Sequence, residues 1–150
     1  MFNKRFIFYT VASAVIASLI VLLLPLVRNE RTDRGYLLSQ TKTDVKNINT
    51  ALNQLEIACS VLPSGDNRAI FRTLFGSNTL QIVFLATART NSDGELLDPW
   101  GSPYEIEILA QTNIVIKSAG KNGRWGDKDD YVFDGRKNEY LQDPSPELRP

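Results

Sequence analysis

The run from Phe6 to Val27, FIFYTVASAVIASLIVLLLPLV, constrains this chain more than any other feature, because it carries no charge over about 22 residues. As a helix rising about 1.5 Å per residue it would extend roughly 33 Å, enough to cross the hydrocarbon core of a bilayer. Its Leu, Ile, Val and Phe residues each favour insertion by about a few tenths of a kcal/mol, and no ionisable group opposes them. A cleaved signal peptide is the competing reading, with Lys4 and Arg5 as its charged start. The apolar stretch is too long for that, and Pro25, Leu26 and Val27 run into Arg28 without a small-residue cleavage site. The expectation is an uncleaved single-pass anchor at residues 6–27 behind a short cytoplasmic tail, residues 1–5. Charge counting does not orient it, since Lys4 and Arg5 face Arg28, Arg31 and Arg34 across the span. A very short tail is easily left inside while the remainder is exported.

Beyond the anchor lie residues 28–150, of which about a hundred or fewer form the compact core of one small domain, whose thin stability margin makes a bound metal or a packed neighbour matter. Basic and acidic residues balance at 17 each, with no long basic run, so the electrostatic footprint of a nucleic-acid binder is missing. There is no histidine and one cysteine, Cys59. That removes His-based acid–base chemistry, Ser-His and Cys-His nucleophiles and the usual zinc clusters, so no enzyme and no small-molecule substrate are expected.

Apolar residues recur at Val45, Ile48, Leu52, Leu55, Cys59 and Leu62 in steps of three and four, with Ala51 and Ala58 between them. The spacing predicts an amphipathic stem helix within residues 28–62, either continuous with the anchor or broken near Gly35, and stopped by Pro63-Ser64-Gly65. Residues 63–140 then form the head. Asp66 or Asn67 caps a short helix with Ile70, Phe71, Leu74 and Phe75 on its apolar face and Gly76 at its end. Leu80 to Thr87 reads as an apolar strand. Tyr104 to Leu109 and Asn113 to Ser118 alternate and read as an antiparallel hairpin, with Glu105, Glu107 and Lys117 on its wet face. Tyr131 to Phe133 reads as a short edge strand, and residues 141–150 as a disordered tail. A helix across one face of an antiparallel sheet, an α+β architecture, is the simplest way to bury both apolar surfaces.

Two local patterns stand out. Asp98-Pro99-Trp100-Gly101-Ser102-Pro103-Tyr104 is a rigid turn leading into a strand, with φ fixed by two prolines. Ser118 to Tyr131, SAGKNGRWGDKDDY, spaces three glycines among Asn122, Asp127, Asp129 and Asp130. Oxygen side chains gathered by glycine turns suit a hard cation such as Ca²⁺, although the spacing is not that of an EF-hand. Taken alone, the loop also reads as a solvated acidic surface. Trp125 within it reads as a plug over the sheet edge or as a partner contact.

The pair DPWGxPY and SxGxxGxxGxxDD resembles the C-terminal half of the major pseudopilins of bacterial type II secretion systems, and the likeness covers roughly Ser64 to Tyr131. The resemblance implies a pilin-like fold, with a long N-terminal helix whose first half spans the membrane and whose second half packs on a small antiparallel sheet. It also implies a structural calcium site, carried by Asn122, Asp129 and Asp130 with backbone carbonyls at Ala119 and Asp127. The function it implies is that of a structural or assembly subunit of a type II secretion or type IV pilus-related system. Such a subunit would sit in the bacterial inner membrane with its head in the periplasm, touching lipid, other pseudopilins or inner-membrane secretion components. A membrane-tethered extracytoplasmic binding module outside any filament is the alternative. The chain departs from the family at its start: no leader motif precedes Phe6, and Phe8 stands where, with Pro25 aligned to the family's proline, a glutamate belongs. That departure bears on processing by prepilin peptidase and on ordinary incorporation into a pseudopilus alike.

Overall fold

The apolar stripe at Val45, Ile48, Leu52 and Leu55 organises the fold: it lies on α1, helical over residues 35–59, and all four side chains are buried. The computed structural model describes residues 35–109 and 113–144. The expected span at residues 6–27, its tail, the start of the stem and residues 145–150 lie outside the described residues. Among the described residues no helix is long and apolar enough to cross a membrane. The β-branched Thr41 and Thr43 are accommodated in α1 because their hydroxyls donate to the carbonyls of Leu37 (2.9 Å) and Ser39 (3.1 Å) one turn back. The helix stops at residue 59, three residues short of the expected end, where Ser60 takes a left-handed φ of 57°. Pro63 also disfavours helical geometry at Leu62, which is buried nonetheless.

Helix α2 spans Asn67–Leu74. Of the two cap candidates it is Asp66 that accepts the Ala69 N–H, at 2.9 Å. The Asn67 side chain instead donates to the carbonyls of Leu96 (3.2 Å) and Tyr104 (2.6 Å) and accepts the Leu96 N–H (2.9 Å). It thereby pins the start of α2 to the chain entering the sheet. At the far end, Gly76 at φ 110° lets Ser77 N–H reach the Arg72 carbonyl at 2.9 Å, a Schellman closure.

The segment 80–87 is not the strand its composition predicts. It makes one isolated bridge, Val83 to Phe75, and Leu80, Ile82 and Val83 stay about half exposed. The cause is local. The Asn78 carboxamide accepts the N–H groups of Leu80 and Ile82 and donates to the carbonyls of Thr73 and Ile82, while Gln81 adopts a left-handed φ of 56°. A side chain that satisfies the backbone in this way competes with a sheet ladder.

Four antiparallel strands follow in spatial order β1-β2-β3-β4: Glu105–Leu109, Asn113–Ser118, Tyr131–Asp134 and Glu139–Gln142. The expected hairpin is present, with Ile106 opposite Ile116 and Ile108 opposite Ile114. Two corrections concern the sheet's far side. Tyr131–Asp134 is an internal strand, because β4 pairs outside it, and that last strand carries the fold past residue 140. The register places Ile106, Ile114, Ile116, Ser118, Tyr131 and Phe133 on one buried face, and the apolar ones other than Tyr131 join Val45, Ile48, Leu52 and Leu55 in one core. On the other face Lys117 lies 2.6 Å from Glu107 and 3.6 Å from Glu105. The protein is thus α+β, with a helix and a small four-stranded antiparallel sheet sharing one core.

Candidate metal centre

The loop between β2 and β3 begins where Ser118 and Ala119 are buried and ends at Asp130, 5 % exposed. Its bend depends on Gly120. With φ at +61°, a Cβ there would run into the backbone carbonyl of Asp129 on the returning arm, so only glycine lets the two arms meet. Inside the bend the Asn122 carboxamide donates to Asp127 Oδ2 at 2.6 Å and to Asp129 Oδ1 at 2.7 Å. Asn122 N–H donates to Asp129 Oδ2 at 3.1 Å, and Asn122 Oδ1 accepts the Arg124 N–H at 2.7 Å.

Asn122, Asp127 and Asp129 are therefore brought together. The Asp127 carboxyl is held below the ordinary carboxylate range by its hydrogen bond with Asp129 and then by Asn122. Burial, and then the same hydrogen bond, push Asp129 up. Two carboxyls held this close repel each other when both are ionised. The Nδ2 donors of Asn122, bonded to both carboxyls, relieve part of that repulsion.

Asp130 is engaged differently. Its Oδ2 accepts the N–H groups of Gly126 (2.7 Å) and Asp127 (3.3 Å), while its Oδ1 is buried with no hydrogen-bond partner. An unpartnered carboxylate oxygen at a nine-tenths buried position is costly, and a cation is one way to satisfy it. The Asp127 carbonyl, one of the two backbone ligands implied by resemblance, accepts from Gln142 Nε2 at 2.6 Å. Asp127 also brings its carboxylate to the cluster. Among the described residues no group of three or more Asp, Glu, Cys or His side chains is arranged to hold a metal ion. The oxygens nearest one another here are those of the Asp127 and Asp129 carboxyls, to which Asn122 presents its Nδ2 donors while its Oδ1 accepts the Arg124 N–H; carboxylate oxygens suit Ca²⁺ better than a soft metal.

The turn at residues 98–104 lies directly against this loop. Asp98 is fully buried, and its Oδ1 accepts the N–H groups of Trp100 (3.0 Å) and Ser102 (2.9 Å). Its Oδ2 accepts the Ser118 hydroxyl at 2.6 Å, and the Ser118 oxygen accepts the Gly120 N–H at 3.2 Å. A Cβ on Gly123 would lie 3.1 Å from Ser102 Oγ, which places the loop's middle against the turn as well. Trp100 stacks on Tyr131 with centroids 6.3 Å apart. The aromatic cover next to the loop is therefore Trp100, and Trp125, read from the sequence as a plug over the sheet edge or as a partner contact, is 49 % exposed. The spacing of the two motifs did not reveal the Asp98–Ser118 contact. Its only trace in the sequence is that an aspartate opens one motif and a serine the other.

A second concavity, a cleft of about 290 Å³, lies between α1 and the segment leading to the turn, with Ile48, Leu85 and Leu96 among its apolar walls. Asp44 and Arg89 form an ion pair at 2.6 Å along it. Burial raises the Asp44 carboxyl above its ordinary value, and the Arg89 charge opposes that rise. Compared with protein-family models, with curated proteins and with solved structures, the chain shows no match.

Proposed function

We propose that this chain is a pseudopilin-like structural or assembly subunit of a type II secretion or type IV pilus-related system, with its head clamped by calcium. The observation that carries the reading is the convergence of Asn122, Asp127 and Asp129 in a glycine-built bend beside the buried, unpartnered oxygen of Asp130. That bend joins β2 and β3, whose buried face shares one core with α1, the helix-on-sheet order expected of such a subunit. In this reading the carboxylates of Asp127, Asp129 and Asp130 would hold the ion, with Asn122 turning its carboxamide oxygen inward in place of the Nδ2 donors it presents to them here. Its role would be charge bridging between β2 and β3, with no substrate turned over. The anchor at residues 6–27 would place the protein in the bacterial inner membrane with the head in the periplasm, against lipid and other subunits of the assembly.

The test has two arms. Calcium added to the full chain in detergent is expected to raise its thermal midpoint, and magnesium is expected to do so far less, because the smaller ion demands stricter geometry. Cross-linking in cells that carry such a system should recover pseudopilins or inner-membrane secretion components. A midpoint indifferent to calcium removes the clamp, and a chain that cross-links to none of these components removes the assembly role.

The cleft beside Asp44 and Arg89 favours one other reading, a membrane-tethered extracytoplasmic binding module. A monomer without assembly partners, whose ligand contacts map to that cleft, would select it.

A further inference from the structure

We infer that Asp98 is a positioning residue for the loop: through the Ser118 hydroxyl it sets the path of the backbone at Gly120, and so the place where Asn122 meets Asp127 and Asp129. The consequence for calcium rests on the function proposed above, whereas the consequence for loop order does not.

The geometry is that of a relay with every place filled. Asp98 and Ser118 are both fully buried, so neither exchanges its partner for water. The two oxygens of Asp98 have different tasks. Oδ1 closes its own turn on the N–H groups of Trp100 and Ser102, which leaves Oδ2 to take the Ser118 hydroxyl at 2.6 Å. A hydroxyl donating to a carboxylate has its proton committed, so the Ser118 oxygen can only accept on its other side, and there it receives Gly120 N–H at 3.2 Å. Gly120 is the residue whose missing Cβ lets the Asp129 carbonyl approach. The returning arm touches the same turn, since Tyr131, next to Asp130, stacks on Trp100. The turn therefore grips the loop at its first residues and at its last. The loop's middle is held by the polar side chains of Asn122, Asp127 and Asp129, by Asp130 Oδ2 on the Gly126 and Asp127 N–H groups and by Gln142 on the Asp127 carbonyl, and Asn122 and Asp127 are exposed to solvent. Loss of the relay would release the entry arm and let the carboxyls drift apart while the sheet core under Leu52 stays packed.

Hydrogen exchange resolved by residue on the full chain in detergent tests this, with Ser118→Ala as the probe variant and Leu52→Ala as the control. Ser118→Ala is expected to speed exchange at the Asn122 and Gly126 amides by about tenfold, the scale of one lost buried hydrogen bond. Leu52→Ala weakens the core and is expected to speed the strand amides of Ile116 and Phe133 while leaving local opening of the loop unchanged. Loop amides that do not respond to Ser118→Ala, or that respond equally to Leu52→Ala, would overturn the inference. Should Ser118→Ala not fold, Asp98→Asn takes its place with the same expected pattern, because an amide cannot accept the Ser118 proton while also closing the turn. Calcium affinity of the same variant, expected to fall about tenfold, separates the two ideas. A wild type that ignores calcium defeats the clamp, yet the exchange comparison still decides the relay.

Discussion

Asn49, on the buried side of α1, donates its side-chain N–H to the carbonyl of Gly135, at 3.1 Å and 86 positions away in the chain. Gly135 cannot carry a side chain there, because a Cβ would strike Asn49 Oδ1 and lie 3.1 Å from the Cβ of Ile114. This contact fixes the height of the helix against the turn between β3 and β4, a position the apolar stripe alone leaves free to slide.

Asn49→Ala is expected to cost about 1–3 kcal/mol by leaving a buried carbonyl unpaired, and Gly135→Ala a similar amount, about 1–3 kcal/mol, through overpacking. The double variant should cost less than the sum, since truncating Asn49 removes the atom that the new methyl group would strike. Chemical denaturation of the four proteins measures the coupling, and strict additivity would show that the two residues do not act on each other.

Calcium dependence distinguishes the side chain of Asp127 from its carbonyl. Because the carboxylate faces Asn122 and the carbonyl is taken by Gln142, Asp127→Ala is expected to abolish most of the calcium-induced rise in thermal midpoint. For a domain of this size each kcal/mol of linkage moves the midpoint by about 4–8 °C, so the loss is measurable. A rise that survives in Asp127→Ala and vanishes in Asp129→Ala would assign Asp127 the backbone role instead.

Asp134 makes acid stability predictable. Its Oδ1 accepts the N–H groups of Arg136 and Lys137, both at 3.0 Å, and these bonds, that of Lys137 foremost, hold the carboxyl below its ordinary value. A depressed folded-state pKa adds stability that is complete above the unfolded-state value and is lost as pH falls through the folded one. The wild type should therefore lose stability below about pH 4, where free aspartate titrates. Asp134→Asn, which keeps an acceptor but no charge, should show a flatter profile. Thermal melts from pH 2 to 7 would reveal it, and identical slopes would rule out Asp134 as the source.

Asn78→Ala should free the backbone of residues 80–87, whose composition favours strands. The expected result is a loss of about 0.5–1.5 kcal/mol from the hydrogen bonds removed, together with faster aggregation into β-rich material. Light scattering and a dye that reports cross-β structure would measure this. Unchanged aggregation would mean that Asn78 is not what keeps the segment out of a ladder.

Much of this architecture could be read in the residue order, because periodicity reports burial directly. The three-and-four spacing of Val45, Ile48, Leu52 and Leu55 marked the helix, and the alternation through Ile106, Ile108, Ile114 and Ile116 marked the central hairpin. The glycines of the acidic loop likewise announced a bend that gathers oxygens, since backbone freedom at a position such as Gly120 belongs to the residue type itself. Other features depended on partners distant in the chain. The apolar run at residues 80–87 looked like a strand until Asn78 took its N–H groups. Tyr131–Asp134 looked like an edge until Glu139–Gln142, too short and mixed to signal itself, paired beside it. Asp98 and Ser118 met only through folding, because a hydrogen bond between two buried side chains depends on where two turns come to lie in space, and no local pattern of residues records that.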